Sequence, residues 1–322
     1  MKREHTQQNP VNQPGSPALE VLHLSKHFEL GETSTLVLDD ITFCAGAGEL
    51  VCIIGCSGCG KTTLLNILAG FIPPGSGSVK MDGNPIERPG PERCVVFQED
   101  ALFPWLSVRE NIAFGLKRRM KKKLLDLEVE RFLALVGLNE FRDHLPCEIS
   151  GGMKQRVALA RVLILKPQVL LMDEPFVSLD YHLRKEMQNL LVSLWKELGQ
   201  TIIFVTHDID EAITLADRII VMDIAPGRIN QEFNVGLPRP RSEEQTGYIF
   251  FRKKLLSSYG ALSFNPDQTT IRDNPQEVWG GNPVSKHCSS SKASGRMHNP
   301  EIICQLFDNQ DKAIGRKRYP ES

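Results

Sequence analysis

The sequence has no long hydrophobic run. Its 322 residues contain no stretch of about 18 consecutive apolar residues, the length needed for a helix that spans a bilayer. Residues 1–18 are polar, rich in Gln, Asn and Pro, and lack the apolar core of a secretory signal. We therefore expect a cytoplasmic protein without a membrane span, in which residues 1–18 form a disordered tail.

Net charge is also nearly absent. The chain has 38 basic and 39 acidic residues, which give a formal net charge of −1. A dedicated nucleic-acid binder needs an excess of positive charge, so we expect no nucleic-acid partner. A hydrophobic content of 41% is ordinary for a globular protein and leaves room for one large domain or two small ones.

Cysteine pairs with the spacing of a complete metal site are lacking. Cys56 and Cys59 form a Cys-x-x-Cys, the spacing of a redox dithiol or of half a zinc site. A zinc site needs a second Cys/His pair at matching spacing, and the chain offers no convincing one. In a reducing compartment most of the eight cysteines are expected to be free thiols that pack as small apolar residues.

Short apolar runs alternate with amphipathic segments between residues 19 and about 259. Four runs are continuously apolar at their centres, as in strands buried on both faces of a parallel sheet. The predicted strands are 49–55, 93–98, 168–175 and 201–208, and the predicted helices are 61–70, 152–165 and 181–199. This alternation predicts an α/β fold. Residues 105–148 predict a helical insertion, and the polar residues 260–322 predict a poorly ordered tail.

The stretch GCSGCGKTT at residues 55–63 has the pattern of a phosphate-binding loop. It fits G-x-x-x-x-G-K-[ST], follows a predicted strand and begins a predicted helix. The glycines let backbone N–H groups point at phosphate oxygens, and the helix N-terminus favours the same anion. Lys61 is predicted to reach the β- and γ-phosphates and Thr62 to ligate Mg²⁺. Cys56 and Cys59 occupy unspecified positions of the pattern, which favours phosphate binding over thiol chemistry.

Two carboxylates follow a second apolar strand, in the sequence VLLMDEP. Asp173 comes at the C-terminal end of this strand, where α/β sheets bind their ligands, and it is a candidate for holding Mg²⁺. Glu174 comes next and is a candidate general base for an attacking water. A solvated Asp-Glu turn is the simpler interpretation of this pair alone, but the phosphate loop makes a nucleotide site the better one.

A second anion site is predicted at ISGGMKQR, residues 149–156. Ser150, Gly151 and Gly152 lead into a helix, so that hydroxyl and amide donors face outward at the helix start. One nucleotide has no need of two such loops in one subunit. Two chains packed head to tail would use both loops, because each chain then supplies its phosphate loop to one ATP and its serine loop to the other.

With these motifs in order, the chain resembles the ATP-binding cassette (ABC) ATPases. Four further positions match that family: Phe28 where an aromatic ring stacks on adenine, Gln98 in the Q-loop, Asp180 in the D-loop at the dimer contact, and His207 as the switch histidine. The resemblance covers residues 19 to about 230. It implies a P-loop NTPase fold with a mainly parallel sheet core, an antiparallel N-terminal β subdomain and a helical subdomain at about 99–165.

The resemblance also assigns roles residue by residue. The implied catalytic residues are Glu174, His207, Lys61 and Gln98, and the implied Mg²⁺ ligands are Thr62, Gln98 and Asp173. The implied ATP contacts are Phe28, Gly55, Cys56, Ser57, Gly58, Cys59, Gly60, Lys61, Thr62, Thr63, Ser150, Gly151, Gly152 and Asp180. Two positions depart from the usual pattern. Met153 stands where the family often has Gln, and Val177 stands where its importers of taurine, alkanesulfonates and nitrate usually have a small residue.

Within the family, the chain is similar to the importers of taurine, alkanesulfonates and nitrate. Pro104 and Trp105 follow the Q-loop closely, as in that group. The last sixty residues lack the alternating strands of the regulatory domain that maltose- and sulfate-type importers carry. The resemblance implies a homodimer at the cytoplasmic face of the plasma membrane. Its partners would be transmembrane permease subunits and, indirectly, a periplasmic or lipid-anchored solute-binding protein.

Other functions are also compatible with the sequence. The chain is alternatively an importer ATPase for another small solute, or a soluble ABC ATPase of DNA repair or translation. Repair ATPases insert long coiled coils between the two halves of the site, and translation proteins carry two cassettes, neither of which is found in this sequence. A nucleotide-binding regulator without hydrolysis is disfavoured by the presence of Glu174 and His207.

The two loop cysteines carry one separate prediction. They lie beside a helix N-terminus and Lys61, and both features are expected to favour the thiolate. We therefore expect thiol-modifying reagents to inhibit the protein and bound ATP to protect it.

Overall fold

A computed structural model describes residues 18–31, 33–97 and 102–262. The predicted N-terminal tail and nearly all of the predicted C-terminal tail lie outside these residues. The strands are β1 Leu19–Leu30, β2 Thr33–Ala45, β3 Leu50–Gly55, β4 Ser76–Met81, β5 Asn84–Pro85, β6 Arg93–Val96, β7 Val169–Asp173, β8 Thr201–Thr206, β9 Arg218–Met222 and β10 Ile229–Asn234. The helices are α1 Lys61–Ala69, α2 Val108–Ala113, α3 Lys122–Leu135, α4 Gly151–Leu163, α5 Tyr181–Leu198, α6 Ile209–Leu215 and α7 Thr246–Leu262.

A six-stranded sheet forms the centre of the fold, in the order β10-β9-β3-β8-β7-β6. The strands from β9 to β6 pair in parallel, and β10 pairs antiparallel at one edge. Every residue of β3 and of β8 is buried, since both faces of the sheet are covered. This burial explains the continuous apolar runs of the sequence, and the parallel core that they predict is confirmed.

The two faces of the central sheet belong to two separate hydrophobic clusters. On β3, Leu50, Cys52 and Ile54 point into one cluster, while Val51 and Ile53 point into the other. The alternation follows from the two-residue period of a strand. The first cluster continues into the helical region and the second into the N-terminal sheet, so the central sheet joins both parts of the molecule.

A second sheet of four strands, in the order β2-β1-β4-β5, confirms the predicted antiparallel N-terminal region. Its first two strands form a long hairpin that turns at Gly31, where φ is +62°. The inner residues of this sheet, among them Val21, Leu24 and Ile41, are fully buried. The sheet therefore packs its apolar face against the phosphate-loop side of the core.

Between the sixth and seventh strands the chain is helical, as the sequence predicts. Residues 105–148 contain α2, α3 and short 3-10 helices at Phe114–Leu116, Asn139–Phe141 and Pro146–Glu148, and this described range contains no strand. Asn111 is fully buried, and its amide bonds the backbone of Phe103, Leu106 and Ser107. These bonds fix the segment that carries Trp105. Within the described ranges, no helix combines the length and apolar character needed to cross a bilayer.

Candidate nucleotide-binding site

The phosphate loop joins β3 to α1, as predicted. The strand ends at Gly55 and the helix begins at Lys61. Gly58 and Gly60 have φ of +85° and +91°, a left-handed conformation that residues with a Cβ rarely adopt. Among the described residues, no side chain caps the start of α1. The first N–H groups of the helix therefore lack a side-chain acceptor within this part of the chain and suit an anionic ligand.

The Lys61 side chain folds back onto the backbone of the phosphate loop. Its ammonium donates to the carbonyl oxygens of Gly55 at 2.7 Å and Cys56 at 3.1 Å. The side chain is 6% exposed, although Lys is seldom buried without such partners. The loop thus holds a positive charge in place at its centre, which is the arrangement that a triphosphate requires.

A turn that is distant in the sequence packs against the phosphate loop. Gly227, between β9 and β10, donates from its N–H to the Val37 carbonyl at 2.8 Å. A Cβ at Gly227 would lie 2.1 Å from the carbonyl oxygen of Cys59, and one at Gly60 would lie 2.6 Å from Leu38 Cδ2. The loop is therefore closely packed on two sides. Sequence reasoning missed Gly227, because no local pattern pairs it with a loop so far away in the chain.

Thr62 and Asp173 meet beside this loop. Asp173 ends β7, and its carboxyl lies beside the Thr62 side chain. Burial raises the pKa of Asp173, and the neighbouring Glu174 raises it further, whereas Thr62 and Lys61 lower it. A hydroxyl and a carboxylate side by side are ligands that Mg²⁺ accepts. The two predicted ligands fit the ion, and Gln98, the third, lies outside the described residues.

Glu174 and His207 form a pair at the same edge of the sheet. Glu174 Oε2 lies 3.0 Å from His207 Nδ1. The Glu174 backbone has φ of +46°, an uncommon value for a residue with a Cβ, and its N–H donates to the Val205 carbonyl at 2.9 Å. The carboxylate thus projects from a strained turn and is oriented by an imidazole. That is the arrangement expected of a general base and its partner.

The serine loop lies on the surface. Ser150 is the N-cap of α4, and its Oγ accepts from Met153 N at 3.3 Å. Ser150 and Gly151 are exposed, and a Cβ at Gly151 would meet nothing within 4 Å in the described part of the chain. Gly152 is buried against Leu183 of α5, a helix that Asp180 caps through Leu183 N at 3.0 Å. The predicted second anion site is thus open to solvent.

Phe28, the predicted adenine contact, lies on β1 and is 37% exposed. The Lys26 ammonium sits 5.4 Å from the centre of its ring. An aromatic ring with an exposed face is available for stacking, and the neighbouring cation suits a nucleotide.

The prediction that both loop thiols favour the thiolate is wrong for Cys59. This residue is fully buried, with its Sγ 3.8 Å from Lys61 Nζ. Burial raises the pKa of the Cys59 thiol, and the lowering influence of Lys61 is smaller. Desolvation therefore outweighs the nearby charge. Cys56 is partly exposed.

The structure also reveals a contact between α4 and the turn formed by Glu174 and Pro175. Gln155 Nε2 donates to the carbonyl of Pro175 at 2.9 Å. Sequence reasoning missed this contact, because glutamines on helices are mostly exposed and nothing local marks this one as buried.

Comparisons with known proteins identify the family. The model of the family described as "ABC transporter" matches residues 38–177. The taurine import ATP-binding protein TauB of Roseobacter denitrificans is 48% identical over 219 residues, 67% of this chain and 82% of the relative. An aliphatic sulfonates import ATP-binding protein SsuB of Bacillus cereus is 44% identical over 241 residues, 74% of this chain and 95% of the relative.

Solved structures agree in fold. The chain matches cbiO1 from Clostridium perfringens, part of the ABC transporter complex cbiONQ, with a TM-score of 0.63 and 30% identity over 76% of this chain and 95% of that one. It matches the ATP-binding cassette MJ0796, a dimer in a post-hydrolysis state bound to ADP and Pi, with a TM-score of 0.58 and 29% identity over 68% of this chain and 100% of that one. The chain therefore belongs to the ATP-hydrolysing, ATP-binding subunits of the ABC transporter family.

Proposed function

We propose that the protein is the energy-coupling ATPase of an ABC importer and that it works as a homodimer. The observation that carries this proposal is the Glu174–His207 pair, which lies at the same sheet edge as the Thr62–Asp173 pair. A base, its orienting imidazole, and a hydroxyl–carboxylate pair are the protein groups that hydrolysis of ATP requires.

The roles proposed for the residues come from the family resemblance and are supported by their positions. Lys61 and the loop N–H groups bind the phosphates, and Phe28 stacks on the adenine. Thr62 and Asp173 would hold Mg²⁺, which neutralises charge that develops on the phosphates. Glu174 Oε2 accepts a proton from the attacking water, while His207 Nδ1 keeps that carboxylate oriented at 3.0 Å. Positioning of groups, rather than covalent chemistry, supplies most of the catalysis.

The exposed serine loop supports the dimer. Ser150 and Gly151 present a helix start to solvent, whereas the phosphate loop of the same chain already has a Lys at its centre. Two chains arranged head to tail place each serine loop against the ATP of the other chain. Loss of the γ-phosphate then removes an anion that both chains bind, and the dimer opens.

The transported solute is proposed from the relatives and from the helical region. Relatives at 44% and 48% identity are import ATP-binding proteins for aliphatic sulfonates and for taurine. Trp105 is 71% exposed on a segment that the buried Asn111 holds in place, and such a ring suits contact with a permease subunit. We propose import of taurine or an alkanesulfonate, at the cytoplasmic face of the plasma membrane, with solute delivered by a solute-binding protein.

A Glu174→Gln variant tests the mechanism. It should bind ATP and form a stable dimer in size-exclusion chromatography with light scattering, while kcat falls by about 1,000-fold. Glu197→Gln, which alters an exposed carboxylate on α5 paired with Arg131, should leave kcat unchanged. Normal hydrolysis by the Glu174→Gln variant would disprove the role of this carboxylate.

Gene deletion tests the solute. A strain without this gene should fail to grow with taurine or an alkanesulfonate as sole sulfur source and should grow normally on sulfate. Restoring the intact gene should restore growth, and restoring the Glu174→Gln form should not. Unimpaired growth of the deletion strain on both organic sulfur sources would show that the importer carries another solute.

A further inference from the structure

One buried glutamine contacts the turn that carries Glu174 but has no part in the function proposed above. Gln155 lies on α4, one turn after Gly151, and is 8% exposed. It lines a small cavity of about 20 Å³ together with apolar neighbours, among them Ala158, Leu159 and Phe176. A polar amide in such surroundings costs free energy unless hydrogen bonds compensate for its lost hydration.

The hydrogen bonding of this amide is incomplete. Gln155 Nε2 donates to the Pro175 carbonyl at 2.9 Å, in a buried environment. Gln155 Oε1 is buried and has no partner among residues 18–31, 33–97 and 102–262. An apolar side chain of the same length would fill the space without this cost, so packing alone does not account for a glutamine. The contact with Pro175 does account for it.

Pro175 is an effective point from which to hold Glu174. Proline has a fixed φ and no N–H, so its carbonyl is its one backbone group that hydrogen bonds can hold. Before Pro175, the turn is held by the bond from Glu174 N to the Val205 carbonyl at 2.9 Å. After Glu174, it is held by Gln155. Between these two anchors Glu174 keeps its uncommon φ of +46°.

We propose that Gln155 is a positioning residue for ATP hydrolysis. Its bond to Pro175 fixes the direction of the Glu174 carboxylate and ties α4, which begins immediately after Ser150, to the catalytic turn of the same chain. Gln155 acts through Glu174 and does not act on the nucleotide. This inference rests on the proposed function, in which Glu174 is the base.

A Gln155→Met variant tests the inference, because Met keeps the length of the side chain and removes the donor. We expect kcat for ATP to fall about tenfold, while the dissociation constant for a fluorescent ATP analogue changes less than twofold. Gln200→Met is the matched control. Gln200 is 6% exposed, its Oε1 has no partner among the described residues, and it precedes β8 at the sheet end opposite Glu174. Its kcat should equal that of the wild type.

A Gln155→Glu variant gives a second readout that a packing role would not change. Burial raises the pKa of a carboxyl group, so the introduced side chain is protonated at low pH and ionised at high pH. The protonated form donates to the Pro175 carbonyl, and the ionised form is repelled by it. The ratio of variant to wild-type kcat should therefore rise severalfold between about pH 8 and about pH 6.

The outcomes separate this inference from the proposed function. Unchanged kcat in Gln155→Met, or a flat ratio across pH in Gln155→Glu, overturns the positioning role even if Glu174→Gln is inactive. Should Gln155→Met not fold, the pH series of Gln155→Glu decides alone. Full activity of Glu174→Gln would instead overturn the proposed base, whatever the Gln155 variants do.

Discussion

The phosphate loop and the serine loop both begin a helix, but they differ in how much the chain itself supplies. The phosphate loop is enclosed, with Lys61 buried on its own carbonyls and Gly227 packed beneath it. The serine loop is open, with Ser150 and Gly151 exposed. In the function proposed above, one chain thus supplies a complete anion site and half of another. We propose that the enclosed loop binds nucleotide by itself and that the open loop binds a nucleotide brought by a second subunit.

The largest effect should come from removing the positive charge of the enclosed loop. Lys61→Ala removes the buried charge that we propose to bind the phosphates, so ATP affinity of the isolated chain should fall about 100-fold. Equilibrium binding of a fluorescent ATP analogue measures this. Lys196→Ala, at an exposed position in the last turn of α5, is the matched control and should bind normally. Equal affinity in both variants would remove the distinction between the loops.

Blocking the open loop should have a different effect. Ser150→Arg places a bulky side chain where a second subunit is expected, so kcat should fall about tenfold while ATP affinity of the monomer stays within twofold. The lost helix cap should also cost about 1 kcal/mol of stability.

The control for Ser150→Arg separates its two consequences. Ser107 caps α2 in the same way, through Glu110 N at 3.2 Å. Ser107→Arg should lose similar stability in thermal unfolding and keep its kcat. A matching loss of kcat in both variants would mean that the cap, and not the contact with a partner, explains the effect.

A smaller effect should follow from changing Gly227, in the turn that packs against the enclosed loop. Gly227→Ala introduces a Cβ 2.1 Å from the Cys59 carbonyl oxygen, so backbone has to move. ATP affinity should fall severalfold and the melting temperature by a few degrees. At Gly236 a Cβ meets nothing within 4 Å among the described residues, so Gly236→Ala should behave as wild type in both measurements. Unaltered ATP binding by Gly227→Ala would show that the loop tolerates movement of its support.

Burial also decides which strands and helices can be predicted from the sequence. The strands β3, β7 and β8 are predicted to within two residues at each end because burial on both faces produces continuous apolar runs. The edge strand β10 escapes prediction, since Phe233 is its one buried residue. The helix α7 escapes it as well, because it exposes Phe250 while it buries Tyr248.

For the site, local motifs predict the residues that lie on one loop or at one strand end. They place Lys61, Thr62, Asp173, Glu174 and His207 at one edge of the parallel sheet, as the structure does. They do not predict contacts between distant segments. Two such contacts are the packing of Gly227 against the phosphate loop and the hydrogen bond from Gln155 to Pro175. Both depend on tertiary geometry, which leaves no local pattern in the sequence.

The smallest effect concerns the two thiols of the enclosed loop. Cys56 is partly exposed, whereas Cys59 is buried and burial raises the pKa of its thiol. Iodoacetamide should therefore modify Cys56 severalfold faster than Cys59 in the folded protein, as mass spectrometry of the loop peptide measures. ATP should slow the reaction at Cys56, and urea should make the two rates equal. Equal rates without urea would contradict the enclosure of Cys59, and with it the contrast between a closed loop and an open one.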